Sequence, residues 1–279
     1  MVPAMAARSQ ALVVDGTHLC VYPGLYGLCL AGPWPPDLPW QETLRATARL
    51  KDAFISVASR VARNAHVYLV PGSVLVAEGA GLLEWSGLFG PDGALLGEQA
   101  ASQPDAALPE KVLARRLAPI ETPFGPVGLL LGADADVPEV ARILALQGCR
   151  LLIAPRAPAA PYSAARAMAG LWQMVQQNQV FGLESGLSGR ALGVDRAGKA
   201  GAVAPAELSS APSGFLGRPG YFVGDGALGA ELDFDQLEAL RERRPLARHL
   251  NPGLYRHHAD AFRAAPGHEI GAHLGEHDA

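Results

Sequence analysis

The sequence predicts a layered α/β fold, because short apolar runs alternate with helical segments along most of its length. Residues 41–64 carry apolar side chains at spacings of three and four, which is typical of one face of a helix. A second long helix is predicted over 163–178. Between and beside these helices, runs with the character of buried strands lie at 19–22, 67–70, 74–77, 83–89, 128–131 and 150–154.

The second half of the chain continues the alternation. Strands are predicted at 180–184 and 189–194, and a late strand at 227–234 runs into a helix over 235–243. The segment 97–117 is predicted to be irregular. No internal repeat or linker is evident, so we expect a single domain over residues 1–245, followed by a His-rich C-terminal tail over 246–279.

Composition limits the classes of function. The chain has 279 residues, 49% of them hydrophobic, and a net charge of -4, so it can bury a substantial core but offers no basic excess for nucleic acid. No apolar stretch approaches the roughly 20 residues that span a bilayer, and the start lacks the pattern of an export signal. Three cysteines without metal-ligand spacing suit a reducing compartment. We therefore expect a cytoplasmic protein with no nucleic-acid or membrane partner.

The segment GLLLGADADVPEVARILALQG, residues 128–148, is predicted to be a buried strand that turns sharply into a helix. Asp136 and Glu139 have the spacing of a capping pair, and Pro138 fits the first turn. A bend of this kind usually presents a reactive side chain. Here Gly132 stands at the bend and presents none.

Six segments, in order, resemble the nitrilase or carbon-nitrogen hydrolase superfamily. They are VYLVPGS (67–73), GLFGPDGALLG (87–97), ETPFGPVGLLL (121–131), ADVPEVARILALQGCRLLIAP (135–155), QNQVFGLES (177–185) and GALGAELDF (226–234). The resemblance implies a four-layer α-β-β-α sandwich, commonly dimerised, whose members hydrolyse non-peptide C–N bonds in amides and nitriles. It also implies a truncated or remodelled N-terminus, because the first matching motif lies close to the start.

The resemblance implies a cysteine nucleophile, a glutamate base and a lysine that stabilises the tetrahedral intermediate. The matching positions hold Gly132, Gly24 and Ala101, so we assign no catalytic residue. All three replacements are small, which predicts an enlarged pocket. A further family glutamate falls on Gln177. The segment between 91 and 122 contains Lys111, whose polar neighbours are typical of a solvated loop.

Four residues are candidates for lining the pocket: Asp134, Glu139, Arg156 and Gln177. Asp134 and Glu139 can be interpreted as an acid/base pair, but a structural role in the elbow and the helix start is favoured. Arg156 ends a strand where the family's pocket opens and suits an anionic ligand, although arginines at strand ends are also common on plain surfaces. Cys149 has the character of a small buried hydrophobe.

The C-terminal tail contains most of the histidines. His273 and His277 are four apart and would share a metal if the tail were helical, but the HExxH order is absent. A solvated tail, or one crossing to another subunit, is favoured. Phosphate-binding glycine motifs are also absent, so we expect neither a metal nor a cofactor.

Three functions remain open at the level of sequence. The leading hypothesis is a nitrilase-like pseudoenzyme with a structural, assembly or ligand-binding role. The alternative is an active amidase-type hydrolase whose catalytic groups have relocated. A third is a sensor or carrier of a small amide, amine or carboxylate. The resemblance further implies a homodimer or a higher homo-oligomer, and a protein partner is also open.

Overall fold

Two β-sheets, stacked face to face, form the centre of this computed structural model, which describes residues 16–31, 42, 48–79, 81–104 and 113–263. Helices cover the outer face of each sheet. Buried side chains from both sheets, among them Val70, Leu88, Leu129, Ile153 and Phe181, form one cluster between them. The architecture is therefore the predicted α-β-β-α sandwich.

The first sheet is built around a parallel pair of strands, β1 (Leu19–Val21) and β2 (Tyr68–Val70), and helix α1 (Lys51–Ala65) lies between them in the chain. Helix α1 is amphipathic as predicted and buries Phe54, Val57 and Val61 against the sheet. Among the described residues this helix begins at Lys51, after a short 3₁₀ turn at Ala48–Leu50, whereas most of the predicted first part, 41–47, lies outside the described residues. The elements are β1 (Leu19–Val21), α1 (Lys51–Ala65), β2 (Tyr68–Val70), β3 (Val74–Glu78), β4 (Gly81–Phe89) and β5 (Leu95–Ala100), in the order β1-β2-β4-β3 with β5 also paired to β4.

The second sheet contains three parallel strands and an antiparallel strand beside them. The elements of this part of the chain are β6 (Val127–Leu129), α2 (Pro138–Leu146), β7 (Leu151–Arg156), α3 (Ala164–Ala167), α4 (Gln173–Asn178), β8 (Phe181–Gly186), β9 (Gly189–Ala191), β10 (Val194–Arg196), β11 (Lys199–Val203), β12 (Phe215–Leu216) and β13 (Phe222–Val223). The strand order is β12-β11-β8-β7-β6, with β13 also on β11, while β9 and β10 form a separate hairpin. The carboxyl ends of β6, β7 and β8 therefore lie at one edge.

The predicted helix over 163–178 is broken in the middle. A π-helical segment, Met168–Trp172, separates α3 from α4, and Gly170 has non-helical backbone angles (φ -88°, ψ -129°). A Cβ at Gly170 would lie 3.2 Å from the carbonyl oxygen of Ala135, so a glycine suits this close approach to the elbow. Helices α2 and α4 pack together on the outer face of the second sheet.

Other sequence predictions also differ from the structure, among them the strand predicted over 189–194, which is two short strands, β9 and β10. Residues 227–234 do not form a strand, while β5 lies in the segment predicted to be irregular, and β11 was not predicted. The capping pair at Asp136 and Glu139 is also wrong, because Val137 occupies the N-cap of α2 and no side chain caps it. Asp136 has another partner, Arg156, for its carboxylate.

The C-terminal part after Pro245 is described as far as residue 263. Helix α5 (Phe234–Arg243) precedes it, followed by a 3₁₀ turn at Leu246–His249 and the short helices α6 (Pro252–His257) and α7 (Ala259–Arg263). The possible metal pair His273 and His277 lies outside the described residues. Within the described ranges, the helices lack the length and apolar character needed to cross a membrane.

Candidate functional site

The elbow begins where β6 ends. After Leu131 the chain enters a 3₁₀ turn, Gly132–Asp136, and Gly132 has a positive φ of 56°. Side chains other than glycine are strained in this left-handed region, and such strain is typical of bends that carry a nucleophile. The bend therefore has a left-handed backbone conformation, which glycine adopts without strain, and it has no side-chain atom able to attack a substrate.

Asp134 holds the elbow in place. Its buried carboxylate accepts hydrogen bonds from the amide and the hydroxyl of Ser102, both at 2.9 Å, and from the amide of Leu131 at 3.1 Å. These bonds join the segment after β5 to the start of the elbow. They also place Ala101, the residue before Ser102, beside the elbow. Asp134 thus has the structural role that was favoured for it.

Ala101 is fully buried in the cluster between the sheets. Its amide donates to the carbonyl oxygen of Glu84 at 2.9 Å, and its own carbonyl accepts from the amide of Ala114 at 2.9 Å. The position that matches the family lysine therefore has an apolar side chain, and both its backbone N–H and its carbonyl oxygen are hydrogen-bonded. Lys111, the lysine nearest to it in sequence, lies outside the described residues.

Gly24 packs directly against the end of β7. Its amide donates to the carbonyl oxygen of Arg156 at 3.0 Å. A Cβ on Gly24 would lie 2.8 Å from the carbonyl carbon of Arg156 and 3.0 Å from the carbonyl oxygen of Pro155. Backbone atoms therefore fill the space that a side chain would need, and the predicted enlargement of the pocket does not occur at this position.

Three charged side chains lie in a row on the helix-covered face of the second sheet. The strand register pairs Ala154 with Glu184 and Gly201 with Glu184. Since side chains alternate along a strand, Arg156, Glu184 and Lys199 share this face on β7, β8 and β11. Their side chains are at most 10% exposed, so the row is buried.

Ion pairs connect this row to the elbow. The Arg156 guanidinium binds both oxygens of Asp136, with Nη1–Oδ1 and Nη2–Oδ2 distances of 2.9 and 2.6 Å. Its Nε lies 4.0 Å from Oε1 of Glu184, and the Nζ of Lys199 lies 2.9 Å from the same oxygen. These contacts connect Asp136, at the end of the elbow, to β7. Through Glu184 they also connect β7 to β8 and β11.

Burial and charge shift the ionisation of this cluster. Burial lowers the pKa of Lys199, and the Glu184 carboxylate opposes that shift without cancelling it. Burial would also lower the pKa of Arg156, but hydrogen bonding to Asp136 and the charge of Glu184 outweigh it, and the pKa is raised. Burial and then Glu184 raise the pKa of Tyr221, whose ring lies 4.1 Å from the Lys199 Nζ. The phenol therefore stays neutral beside the lysine.

A cavity of about 40 Å³ lies at the outer end of the charged row. Arg156 lines it, whereas the other three pocket candidates do not: Asp134 holds the elbow, and Glu139 and Gln177 are exposed on α2 and α4. The polar residues in the lining are Asp136, Arg156, Tyr162, Ser163, Arg166 and Lys199. Among these, the structure brings two sequence-distant cations, Arg156 and Lys199, to one wall.

Two of the three cysteines are poorly suited to act as a nucleophile. Cys149 is fully buried, and burial, with a further contribution from Glu121, raises the pKa of its thiol to about 12. Burial also raises the pKa of Cys20. A thiol must lose its proton to attack a carbonyl, so neither is activated. Cys29 is exposed, on the 3₁₀ turn Tyr26–Ala31.

Sequence reasoning missed Glu184, Lys199 and Tyr221. A charged residue inside the apolar run QVFGLES was a detectable signal for Glu184. Lys199 stands between Gly198 and Ala200, in a segment whose small residues gave no strand signal. Tyr221 lies in a loop-like segment rich in glycine and proline, and its place beside Lys199 depends on folding.

The sandwich with an elbow between its sheets is the fold of the carbon-nitrogen hydrolases. The chain superposes on a carbon-nitrogen hydrolase from Helicobacter pylori G27 with a TM-score of 0.71 and 18% identity, over 91% of this chain and 92% of that one. A mutant amidase from Nesterenkonia sp. AN1, solved with acrylamide added to its active-site cysteine, gives a TM-score of 0.63 and 22% identity over 87% and 89%. At these identities the likeness establishes the fold.

Curated proteins extend the likeness to sequence. Omega-amidase NIT2 of Danio rerio is 33% identical over 111 residues, which is 36% of this chain and 40% of that protein. Omega-amidase NIT2-B of Xenopus laevis is 24% identical over 207 residues, 71% and 72% of the two chains. The better-matching segment thus spans only about 40% of the relative's length. No protein-family model matches the chain.

Proposed function

We propose that this protein is a catalytically inactive relative of the carbon-nitrogen hydrolases that keeps the sandwich and serves a structural, assembly or ligand-binding role. The observation that carries the proposal is the elbow at Gly132, a sharp 3₁₀ turn that follows a buried strand and whose first residue has no side-chain nucleophile. Removing one member of a catalytic unit costs on the order of 10⁴- to 10⁶-fold in turnover, so this loss alone would abolish activity.

Two further features support inactivity. The backbone of β7 fills the space in which a carboxylate at position 24 would have to stand. Position 101 is apolar and fully buried, so it offers no cation to a developing oxyanion. The elbow and the close packing of Gly24 on β7 are therefore consistent with a site built without catalytic groups, rather than with one damaged residue.

The competing function is an active amidase that uses groups outside the family positions. The names of the relatives, omega-amidase and amidase, favour it. Its nucleophile would have to be one of the three cysteines, and Cys29 is the exposed one. This alternative predicts that one thiol is essential for turnover.

Amide hydrolysis measured with matched thiol variants separates the two functions. The wild-type chain, Cys29→Ser and Cys149→Ala are assayed for ammonia release from a panel of primary amides, ω-amides and nitriles. Inactivity predicts the same background rate for all three proteins. Turnover by the wild type above the rate measured without protein would overturn the proposal, and its loss in Cys29→Ser, or on alkylation of that thiol by iodoacetamide, would support the alternative.

We also propose that the chain forms a homo-oligomer. Ile143 and Leu146 are 43% and 55% exposed on α2, which leaves an apolar strip on the outer helical layer. Light scattering of the wild type and of Leu146→Glu tests this assembly. A wild-type mass equal to one 29.1 kDa chain at micromolar concentration would contradict it.

A further inference from the structure

We propose that the cavity beside Arg156 and Lys199 binds a small planar carboxylate, the size of formate or acetate. This inference specifies the ligand-binding role within the proposed function, and its test is independent of whether the chain hydrolyses amides. It rests on three features of the cavity: its charge, its free hydrogen-bond donors and its volume.

The lining carries an excess of positive charge. Arg156, Lys199 and Arg166 contribute three cations, and Asp136 contributes one carboxylate. Counting Glu184, which lies behind the lining and pairs with Lys199, the cluster still holds one more positive charge than negative. No carboxylate of the described residues lies within ion-pair distance of Arg166. One monovalent anion would therefore balance the site.

Arg156 and Lys199, the two buried cations in the wall, have more N–H groups than their ion pairs use. A guanidinium has five N–H groups, and Arg156 uses two of them on Asp136. An ammonium has three, and the Lys199 Nζ has one close carboxylate oxygen, Oε1 of Glu184. Both side chains are held by packing and ion pairs, so they are oriented before a ligand arrives. A carboxylate offers acceptors in the plane that a guanidinium favours.

The volume of the cavity is sufficient for a small carboxylate. A water molecule needs about 10–15 Å³ of such space, so the cavity of about 40 Å³ holds roughly three waters or a ligand of three to four non-hydrogen atoms. Formate has three and acetate has four. The side chains of Tyr162 and Pro161 at the rim are apolar surfaces on which a methyl group can rest.

Saturation-transfer NMR of the acetate methyl group tests the proposal on the full chain. Even the best ligands of four heavy atoms reach dissociation constants of only about 0.05 mM, so acetate is titrated from 0.05 to about 20 mM. Acetamide, its neutral counterpart in shape, serves as the comparison ligand, and sodium chloride keeps the ionic strength constant. We expect saturation transfer to acetate at least tenfold stronger than to acetamide.

Two variants locate the binding, with a third as control. Arg166→Gln removes the exposed rim cation without disturbing the buried ion pairs, and should weaken acetate binding about fivefold. Ala197→Leu fills the cavity and should abolish the transfer. Arg60→Gln, an exposed helical arginine on α1, should bind as the wild type does.

Three results would overturn the inference. They are absence of saturation transfer to acetate in the wild type, equal transfer to acetamide, and an Arg166→Gln variant that binds acetate as tightly as Arg60→Gln. Because Arg166 is exposed, its variant remains informative if Ala197→Leu fails to fold. The readout is binding, so a failure here leaves the proposed inactivity untouched, and amide turnover by the wild type leaves this site untouched.

Discussion

Replacing Gly24 by alanine should destabilise the protein, because the end of β7 occupies the space of the new methyl group. The added Cβ would lie 2.8 Å from the carbonyl carbon of Arg156, whereas carbon atoms in favourable contact lie about 3.5–4.0 Å apart. The neighbours must therefore shift by about 0.7 Å, and they are backbone atoms that cannot rotate away. Overpacking of this kind costs about 1–3 kcal/mol.

Gly229→Ala is the matched control. A Cβ at Gly229 meets nothing within 4 Å, and neither glycine has a positive φ, so both substitutions reduce the entropy of the unfolded chain equally. The difference between the two variants therefore isolates the steric cost. With a urea dependence of about 3 kcal/mol per molar, their unfolding midpoints should differ by about 0.3–1 M. Coincident midpoints would refute the claim that β7 excludes a side chain at position 24.

Three further predictions concern the buried groups. Because the Cys149 thiol has a pKa of about 12 when folded and 9.0 when unfolded, the folded state binds the extra proton above pH 9, and stability falls as the pH rises. Urea unfolding should lose about 1.3 kcal/mol more between pH 8 and pH 10 in the wild type than in Cys149→Ala, and equal losses would count against the shift. Lys199→Met removes the nearer of the two cations beside the buried Glu184 and leaves only Arg156, 4.0 Å away, so it should cost about 3–5 kcal/mol, most of it recovered in the double variant with Glu184→Leu. Additive effects in this cycle would contradict a coupled pair. Asp134→Ala leaves the amides of Ser102 and Leu131 without an acceptor and should cost about 1–3 kcal/mol, against less than about 0.5 kcal/mol for the exposed Asp225→Ala. A similar loss in both aspartate variants would show that Asp134 does not hold the elbow.

The fold was predictable where the signal is local. Helix α1 follows from apolar spacing, and β7 from a continuous apolar run between turn residues. Strands β5 and β11 were missed because LLGEQA and KAGAV mix charges and small residues, and their pairing with β4 and β8 is a long-range property. Residues 227–234 have a strand-like pattern, but most of them are exposed and no neighbouring strand pairs with them.

The site was predictable in part for the same reason. The lack of a reactive group at Gly132 is a property of one residue and is readable from the sequence. The close packing of Gly24 on Arg156 joins residues 132 positions apart, and the ion pair between Glu184 and Lys199 depends on how β8 and β11 align. Local pattern carries no information about either contact, so only the folded structure reveals them.

The buried ion pair has a consequence for how the second sheet assembles. Leu183 faces the apolar cluster between the sheets, while Glu184 faces Lys199 on the opposite side. If the register of β8 shifted by one residue, the Glu184 carboxylate would face the apolar cluster between the sheets, and Leu183 would face the Lys199 ammonium. The shifted register would therefore be energetically unfavourable on both faces of the sheet. The pair of opposite charges therefore favours the native register of β8 over registers shifted by one residue.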